Sequence, residues 1–402
     1  MMNGGRAATP AARDDGRGAA DIRVDGRSGS RTFGTTRGET MRNLKVRASR
    51  RNFVGMMGLL GAGAAGTVAS GAIGAAASAA GSEVNQGPAT MDMAAAQTPA
   101  ATTAPAQGEM TADEMDAMHE AGVRSFPAMT EGLGGQPLAY ELDGDVKVFK
   151  LTCQTVQWEV TPGNKVEAWT YNGVVPGPEI RVAEGEKVRI HVTNESLPES
   201  TAVHWHGLVV PNNQDGVPFI TQPPIKLGET FTYEFPIREE NAGTHMYHSH
   251  LNSAEQVTKG LLGAFIVEPK DPARRLAYDR EYTVVLNDGP LGGFSLNGKG
   301  FPATHPFAAK KGERVLFRFM NEGLMIHPMH LHGMPMTVVA QDGYPLPQAY
   351  MCDTLNIAPG QRFEAIVHAT EVGTWAFHCH ILNHAEGPQG MYGMVTVLLV
   401  NE

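Results

Sequence analysis

The sequence predicts an all-β protein, with two tandem Greek-key β-sandwich domains following a long N-terminal region. Three observations carry that prediction. From about Gln136 onward, short Val, Ile, Thr and aromatic runs alternate with Gly, Pro and Asn, the texture of strands joined by tight turns. That texture comes in two halves that share landmarks in the same order. The chain has 402 residues, 42% of them hydrophobic, which is enough for two domains with real cores.

Residues 1–40 are rich in Arg, Gly and Asp and poor in apolar side chains, the composition of a disordered extension. A more familiar pattern begins at Met41. Ser49-Arg50-Arg51-Asn52-Phe53-Val54 is a twin-arginine sequence, and Phe53 to Ala80 is a weakly apolar Gly/Ala run. The run has too little Leu, Ile and Phe for a membrane span, and Ala77-Ser78-Ala79 offers a small-residue cleavage site. Residues 1–81 therefore read as a twin-arginine export signal with an N-terminal extension, addressing the protein to the periplasm or the extracellular space. Without them the chain holds 20 basic and 37 acidic residues, a formal charge of −17. That balance argues against nucleic acid or an anionic membrane as partner. Residues 82–135, rich in Ala, Thr, Pro and Met, read as a flexible linker in which Thr111-x-x-Glu114 caps a short helix ending near Gly122. Met115, Met118 and His119 share a face of that helix.

The two sandwiches occupy residues 136–270 and 280–402, joined by a charged, Pro-containing stretch from Asp271 to Arg280. Asn172-Gly173 followed by Gly185-Glu186-Lys187-Val188-Arg189 recurs as Asn297-Gly298 followed by Gly312-Glu313-Arg314-Val315. His204-Trp205-His206-Gly207 recurs as His330-Leu331-His332-Gly333, and Gln214-Asp215-Gly216 as Gln341-Asp342-Gly343. Gly243-Thr244 through His248-Ser249-His250 recurs as Gly373-Thr374 through His378-Cys379-His380.

The chemistry lies where the copies differ and where they agree. Ser249 of the first stands opposite Cys379 of the second, Ala254 opposite His384, Leu261 opposite Met391, and Thr201 opposite His327. Alternate residues of a strand point to opposite faces, so the Cys379 thiolate faces away from His378 and His380. With His327, His384 and Met391 it makes a His₂Cys set with an axial thioether, the soft donors of an electron-transfer copper. Met394 is the fallback for the thioether. The competing reading is a structural Cys in a His-rich loop, or a zinc site. Cys153 and Cys352, far apart in sequence, either pair or stay as buried thiols.

Both copies keep two His-x-His pairs, giving His204, His206, His248, His250, His330, His332, His378 and His380. Each pair puts two imidazoles on one face of a strand, roughly 6.5–7 Å apart along it. Eight such ligands are too many for one mononuclear site and suit a three-metal cluster. His119, His191, His245, His305 and His368 are read as ordinary surface or core histidines.

At these residues the sequence resembles the multicopper oxidases, specifically their two-domain, laccase-like members. The resemblance runs from Tyr140 to the C-terminus on HWHG (204–207), HSH (248–250), HPMHLHG (327–333) and HCHILNHAEGPQGM (378–391). It implies two cupredoxin-like domains, with the type 1 copper in the second. The implied type 1 ligands are His327, Cys379, His384 and Met391. His204 and His330 are the implied type 2 ligands, and His206, His248, His250, His332, His378 and His380 those of the type 3 pair. The family places its axial ligand ten residues after the Cys, where this chain has Gln389. Aligning on the Gly-Met step makes Gly387-Pro388 an insertion and Met391 the ligand.

The activity implied is one-electron oxidation of a substrate coupled to reduction of dioxygen to water, with four coppers per functional unit. Phenols and aromatic amines are the leading substrate class, with cuprous or manganous ion as the alternative. Asp215, eleven residues after His204, stands where the family keeps a proton-handling acid, although Asp-Gly is also an ordinary turn pair. Glu386 is a second candidate. The resemblance further implies a homotrimer with each cluster held between chains. A copper nitrite reductase would carry its Cys-His-Met site in the first domain with fewer His-x-His motifs, and a non-catalytic copper carrier has no use for a cluster.

Overall fold

Strands apolar on one face bury that face by packing against a second sheet, and the strands here do so twice over. The computed structural model describes residues 110–402. The expected export signal and the expected linker as far as residue 109 lie outside the described residues.

In the first domain one sheet orders Glu141–Asp143, Val146–Thr161, Lys187–Asn194 and Thr230–Pro236, with Asn164–Tyr171 also paired to Val146–Thr161. The other orders Gly177–Ala183, Leu262–Glu268, Gly243–Ser249 and Val203–His206. Phe149, Ile190 and Tyr233 of the first sheet pack with Val203, Trp205 and Phe265 of the second in one buried core. In the second domain a six-stranded sheet orders Ser295–Leu296, Arg280–Asn287, Arg314–Asn321, Arg362–His368, Met336–Gln341 and Tyr344–Cys352. Its five-stranded partner orders Phe307–Lys310, Val395–Asn401, Gly373–Cys379, His327–Leu331 and Thr354–Ile357.

The repeat seen in the sequence is also a repeat of pairing. Val146–Thr161 runs parallel to Lys187–Asn194 as Arg280–Asn287 does to Arg314–Asn321. The Asn-Gly pairs at 172–173 and 297–298 all take positive φ, from 50° to 78°, the two left-handed central residues that a type I′ turn demands. The Asp-Gly repeat does not extend to conformation. Asp342 has φ 54°, whereas Asp215 has φ −73° at the end of a 3₁₀ turn.

Between the domains Met246, Leu262, Ala264 and Ile266 pack against Val285 and Met320. A charged network lies beside them. Arg318 is paired with Glu281 and Glu364, Arg181 reaches Glu281 at 2.8 Å, and Thr244 Oγ1 donates to Glu364 at 2.6 Å.

The described part of the expected linker holds the capped helix that Thr111-x-x-Glu114 suggests, and that helix is docked rather than free. Helix Ala112–Arg124 begins in a complete capping box of Thr111 and Glu114 and docks on the second domain. There the His119 ring packs against Gly390, with its Nε2 3.2 Å from the Pro388 carbonyl oxygen. Phe126 then stacks on Phe301 at 5.3 Å, and the Gly135 N–H donates to the Pro176 carbonyl of the first domain at 2.9 Å. A composition of small and polar residues conceals these few long-range contacts. Cys153, Cys352 and Cys379 are all free thiols. No helix of the described residues is long and apolar enough to cross a membrane.

Candidate metal centres

Antiparallel pairing of His327–Leu331 with Gly373–Cys379 sets Met329 opposite Cys379. The Cys379 side chain thus turns into the second-domain core, while His378 and His380 turn outward. His327 opens its strand and His384 ends the short turn Leu382–His384, and both are fully buried. Cys379 Sγ lies 3.8 Å from His327 Nδ1 and 3.6 Å from His384 Nδ1, and the two Nδ1 atoms are 3.3 Å apart. Imidazole and thiolate donors at about 2.0–2.3 Å from one ion lie roughly 3–4 Å from each other, so the trio fits a single metal. One thiolate with two imidazoles is a copper set. Burial pushes the Cys379 thiol up to about 11, so metal entry there displaces a proton.

The groups behind this trio are specific. His327 Nε2 sits 2.9 Å from Asp288 Oδ2, and Asp288 also accepts the Leu324 and Met325 N–H groups at 3.0 and 3.1 Å. Burial alone would raise the Asp288 carboxyl, but these hydrogen bonds hold it below its ordinary value. The carboxylate fixes the ring orientation and tautomer of His327, leaving Nδ1 for the metal. Phe294 stacks on His384 at 3.8 Å. Sequence reasoning missed Asp288, which stands 39 residues before His327 in an Asp-Gly pair that reads as a turn.

Met391 is not drawn into this core. It lies 43% exposed on the small hairpin of Glu386–Gly387 and Gly390–Met391. Met394 is fully buried in the cluster that holds Cys379. The Met394 carbonyl accepts from the Cys379 N–H at 3.0 Å, and the Met394 N–H donates to the His384 carbonyl at 2.9 Å. The two-residue insertion Gly387-Pro388 is spent in the hairpin and carries Met391 outward. Glu386, on the same hairpin, is exposed and has no described contact with either imidazole set.

The paired histidines form two open sets. In the first domain His204 lies directly opposite His248. The His204 ring lies 5.6, 5.5 and 5.5 Å from those of His206, His248 and His250, and His206 Nδ1 is 3.1 Å from His248 Nε2. In the second domain His330 lies opposite His378, with His332 Nε2 3.1 Å from His378 Nε2 and the His380 ring 5.4 Å from that of His330. Backbone carbonyls accept from Nδ1 of His204, His248, His330 and His378 at 2.8–3.0 Å, which leaves Nε2 as the donor to a metal. Burial lowers His206 to about 3 and His248 to about 4, so both stay neutral ligands at ordinary pH. Among the described residues no ring contact or hydrogen bond joins one set to the other. Asp215 flanks the first set, its carbonyl 2.8 Å and its carboxylate 3.4 Å from His204 Nδ1, and its side chain is one-third exposed. Gly216 follows so closely that a Cβ there would lie 1.7 Å from the Val203 carbonyl oxygen, which explains glycine at that position.

Comparison with known proteins agrees with this donor chemistry. Two family profiles, each described as multicopper oxidase, match residues 152–272 and 277–399. Laccase-3 of Thanatephorus cucumeris is 33% identical over 246 residues, covering 52% of this chain and 42% of that protein. Copper resistance protein A of Escherichia coli is 39% identical over 167 residues, covering 42% of this chain and 26% of that protein. The chain thus spans under half the length of these curated relatives. The crystal structure of a blue copper oxidase from Nitrosomonas europaea superposes with a TM-score of 0.58 at 33% identity, over 63% of this chain and 85% of that one.

Proposed function

Because this chain belongs to the multicopper oxidase family, as a two-domain, laccase-like member, we propose that it oxidises a one-electron donor and returns dioxygen as water. The observation that carries the proposal is the buried trio His327, Cys379 and His384 with donor atoms 3.3–3.8 Å apart, in a chain that also bears two open four-imidazole sets. Bound copper supplies one-electron uptake at the trio and four-electron reduction of dioxygen at the imidazoles. His327, Cys379 and His384 hold the type 1 ion. His204 and His330 hold the type 2 ion, and His206, His248, His250, His332, His378 and His380 hold the type 3 pair, making four ions per functional unit. For the thioether, spacing selects Met391 and burial selects Met394. Leucine at each in turn separates them, since only the true ligand alters the blue spectrum.

The residues divide the work. Asp288 holds His327 in one tautomer, and the apolar walls of the second core keep water from the thiolate. Cys379 and its chain neighbours His378 and His380 join the two centres through one continuous covalent path of side chains and a single peptide unit, a short route for electrons. Asp215, beside His204 and open to solvent, passes protons toward the imidazoles. The donors we favour are phenols and aromatic amines, with cuprous or manganous ion as the alternative. Oxygen uptake compared across a phenol, Cu(I) and Mn(II) decides between them. The twin-arginine sequence supports export to the periplasm or beyond.

A cluster takes ligands from both sets, and the lack of any described contact between them within the chain supports closure between chains. Domain 1 of one chain meets domain 2 of the next in a head-to-tail ring, for which we propose a trimer. Mixed oligomers test this. One chain carries His204→Ala and His206→Ala, the other His330→Ala and His332→Ala, and the two are co-expressed. Closure between chains restores on the order of a quarter of the sites, because each junction needs an intact partner on both sides. Closure within a chain restores none.

A further inference from the structure

We propose that Glu322 is an enclosed proton store for dioxygen reduction at the first-domain imidazole set. The inference rests on the oxidase reading above and adds a residue that no sequence motif marks.

Glu322 belongs to the second domain, in the turn between Arg314–Asn321 and His327–Leu331, yet it lines a cavity of about 310 Å³ together with His206 and His248 of the first. Leu324 and Gly360 are among its second-domain walls, and Met246 and the 253–258 turn among its first-domain walls. The turn is rigid. Asn321 Nδ2 donates to the Met325 and Ile357 carbonyls at 2.8 Å each, the Gly323 N–H returns to Asn321 Oδ1 at 2.9 Å, and the Glu322 N–H donates to the Leu286 carbonyl at 2.9 Å. The backbone is therefore satisfied and the side chain is left over. Glu322 is 6% exposed, and its Oε1 is buried without any hydrogen-bond partner.

A buried carboxylate without a partner is costly, and the neutral acid is the form that such a site holds. The charged and titratable groups that bear on it are few. Arg362 pulls its pKa down, Tyr171 and Tyr247 lie on the first-domain side, and the imidazoles of His206 and His248 share the cavity. Burial outweighs Arg362 and raises the carboxyl well above its ordinary value. The cavity is mostly apolar and opens toward solvent, and it leaves room for water between the carboxyl and the two imidazoles, the polar groups that would hold it. Asp215, by contrast, has a side chain one-third exposed, so its proton is shared directly with solvent.

The reaction O₂ + 4e⁻ + 4H⁺ → 2H₂O takes its electrons from the reduced donor, each molecule of which gives up one. Glu322 supplies one of the four protons, becoming a carboxylate, and regains it from solvent through cavity water before the next cycle. A purely structural acid needs no proton and tolerates an isosteric amide.

The test pairs a metal-free and a metal-loaded measurement on wild type and Glu322→Gln. Infrared difference spectra of the metal-free proteins at neutral pH should show a protonated carboxylic-acid carbonyl band in wild type that is missing from the variant. In the copper-loaded trimer or monomer as isolated, reoxidation of the fully reduced protein by dioxygen should slow by about 10²-fold with a larger solvent isotope effect. Anaerobic reduction of the blue site by a phenol should be unchanged, and Glu322→Asp should recover part of the rate. Absence of the acid band in wild type overturns the proposal, as do equal reoxidation rates and isotope effects in the two proteins. A wild type that takes up no dioxygen overturns the oxidase reading and this inference with it, whereas an active wild type matched by Glu322→Gln overturns this inference alone.

Discussion

At the same depth in the two sandwiches, the two domains solve one packing problem in opposite ways. In the second, His327, Cys379 and His384 point three donors at one spot. In the first, Thr201 and Ser249 take the places of His327 and Cys379, and Thr201 Oγ1 lies 3.2 Å from Ser249 Oγ. Both hydroxyls donate to Gln256 Oε1, at 2.9 and 2.5 Å, and Gln256 Nε2 donates in turn to Glu199 at 2.7 Å and to the Ser200 carbonyl at 2.9 Å. The strand pairing is the same on both sides, with Val203 opposite Ser249 and Met329 opposite Cys379. The sandwich therefore does not make the metal site. It makes a buried polar position, which hydrogen bonds close in one copy and where in the other the Nδ1 atoms of His327 and His384 face each other and the Cys379 sulfur, a donor set for an ion.

The sharpest way to break this contrast is Cys379→Ser, which gives the second domain the hydroxyl of the first. Blue absorption and substrate oxidation should vanish, while copper held by the imidazole sets remains measurable by metal analysis. A variant that stays blue refutes the assignment.

Acid should act more broadly, on the metal-free protein. His206 and His248 have folded values of about 3 and 4 against an ordinary 6.5, so the unfolded chain binds more protons between those limits. Their stabilising contribution is fully present above about pH 6.5 and falls away as the pH drops toward 3–4. The loss amounts to several kcal/mol in all, because a tenfold difference in proton affinity between folded and unfolded chain is worth about 1.4 kcal/mol. Denaturant melts from pH 7 to 4 should show the decline, and ring-proton NMR should find both imidazoles still neutral at pH 5.

Asp288→Asn tests whether the second domain depends on what lies behind its ligands. Loss of the carboxylate should weaken copper retention or activity by about 10–100-fold and shift the blue band, leaving the fold intact. An unchanged spectrum and affinity would reduce Asp288 to an anchor for the Leu324 and Met325 amides. The smallest effect belongs to the first domain. Gln256→Leu removes one acceptor shared by two hydroxyls that still reach each other, so chemical denaturation should register about 1 kcal/mol, with no change in colour. A change in colour would mean that the two domains are coupled through this position.

What could be read from the chain alone is whatever obeys a local period. His-x-His puts both rings on one face of a strand wherever that strand ends up, Cys379 must face away from its histidine neighbours, and Asn-Gly at 172–173 and 297–298 must turn the chain left-handed. The list of candidate ligands and the two-domain plan follow from such rules plus the internal repeat. What only the tertiary structure decided are partners that no period connects. Asp288 meets His327 because Arg280–Asn287 runs beside Arg314–Asn321. Glu322 faces His206 and His248 because the two sandwiches abut. Gln256 closes the first-domain position from a helical turn that follows its strand. The same limit shows at two further positions. Met391 sits on the Gly-Met step the spacing selects, yet it lies on an exposed hairpin. Asp215 and Asp342 share a tripeptide, yet one flanks His204 and the other has the left-handed φ of a turn. Neighbours along a strand are set by bond geometry, but neighbours through space are set by how sheets pair and stack, and a charge or a thioether gains its meaning only from the second kind.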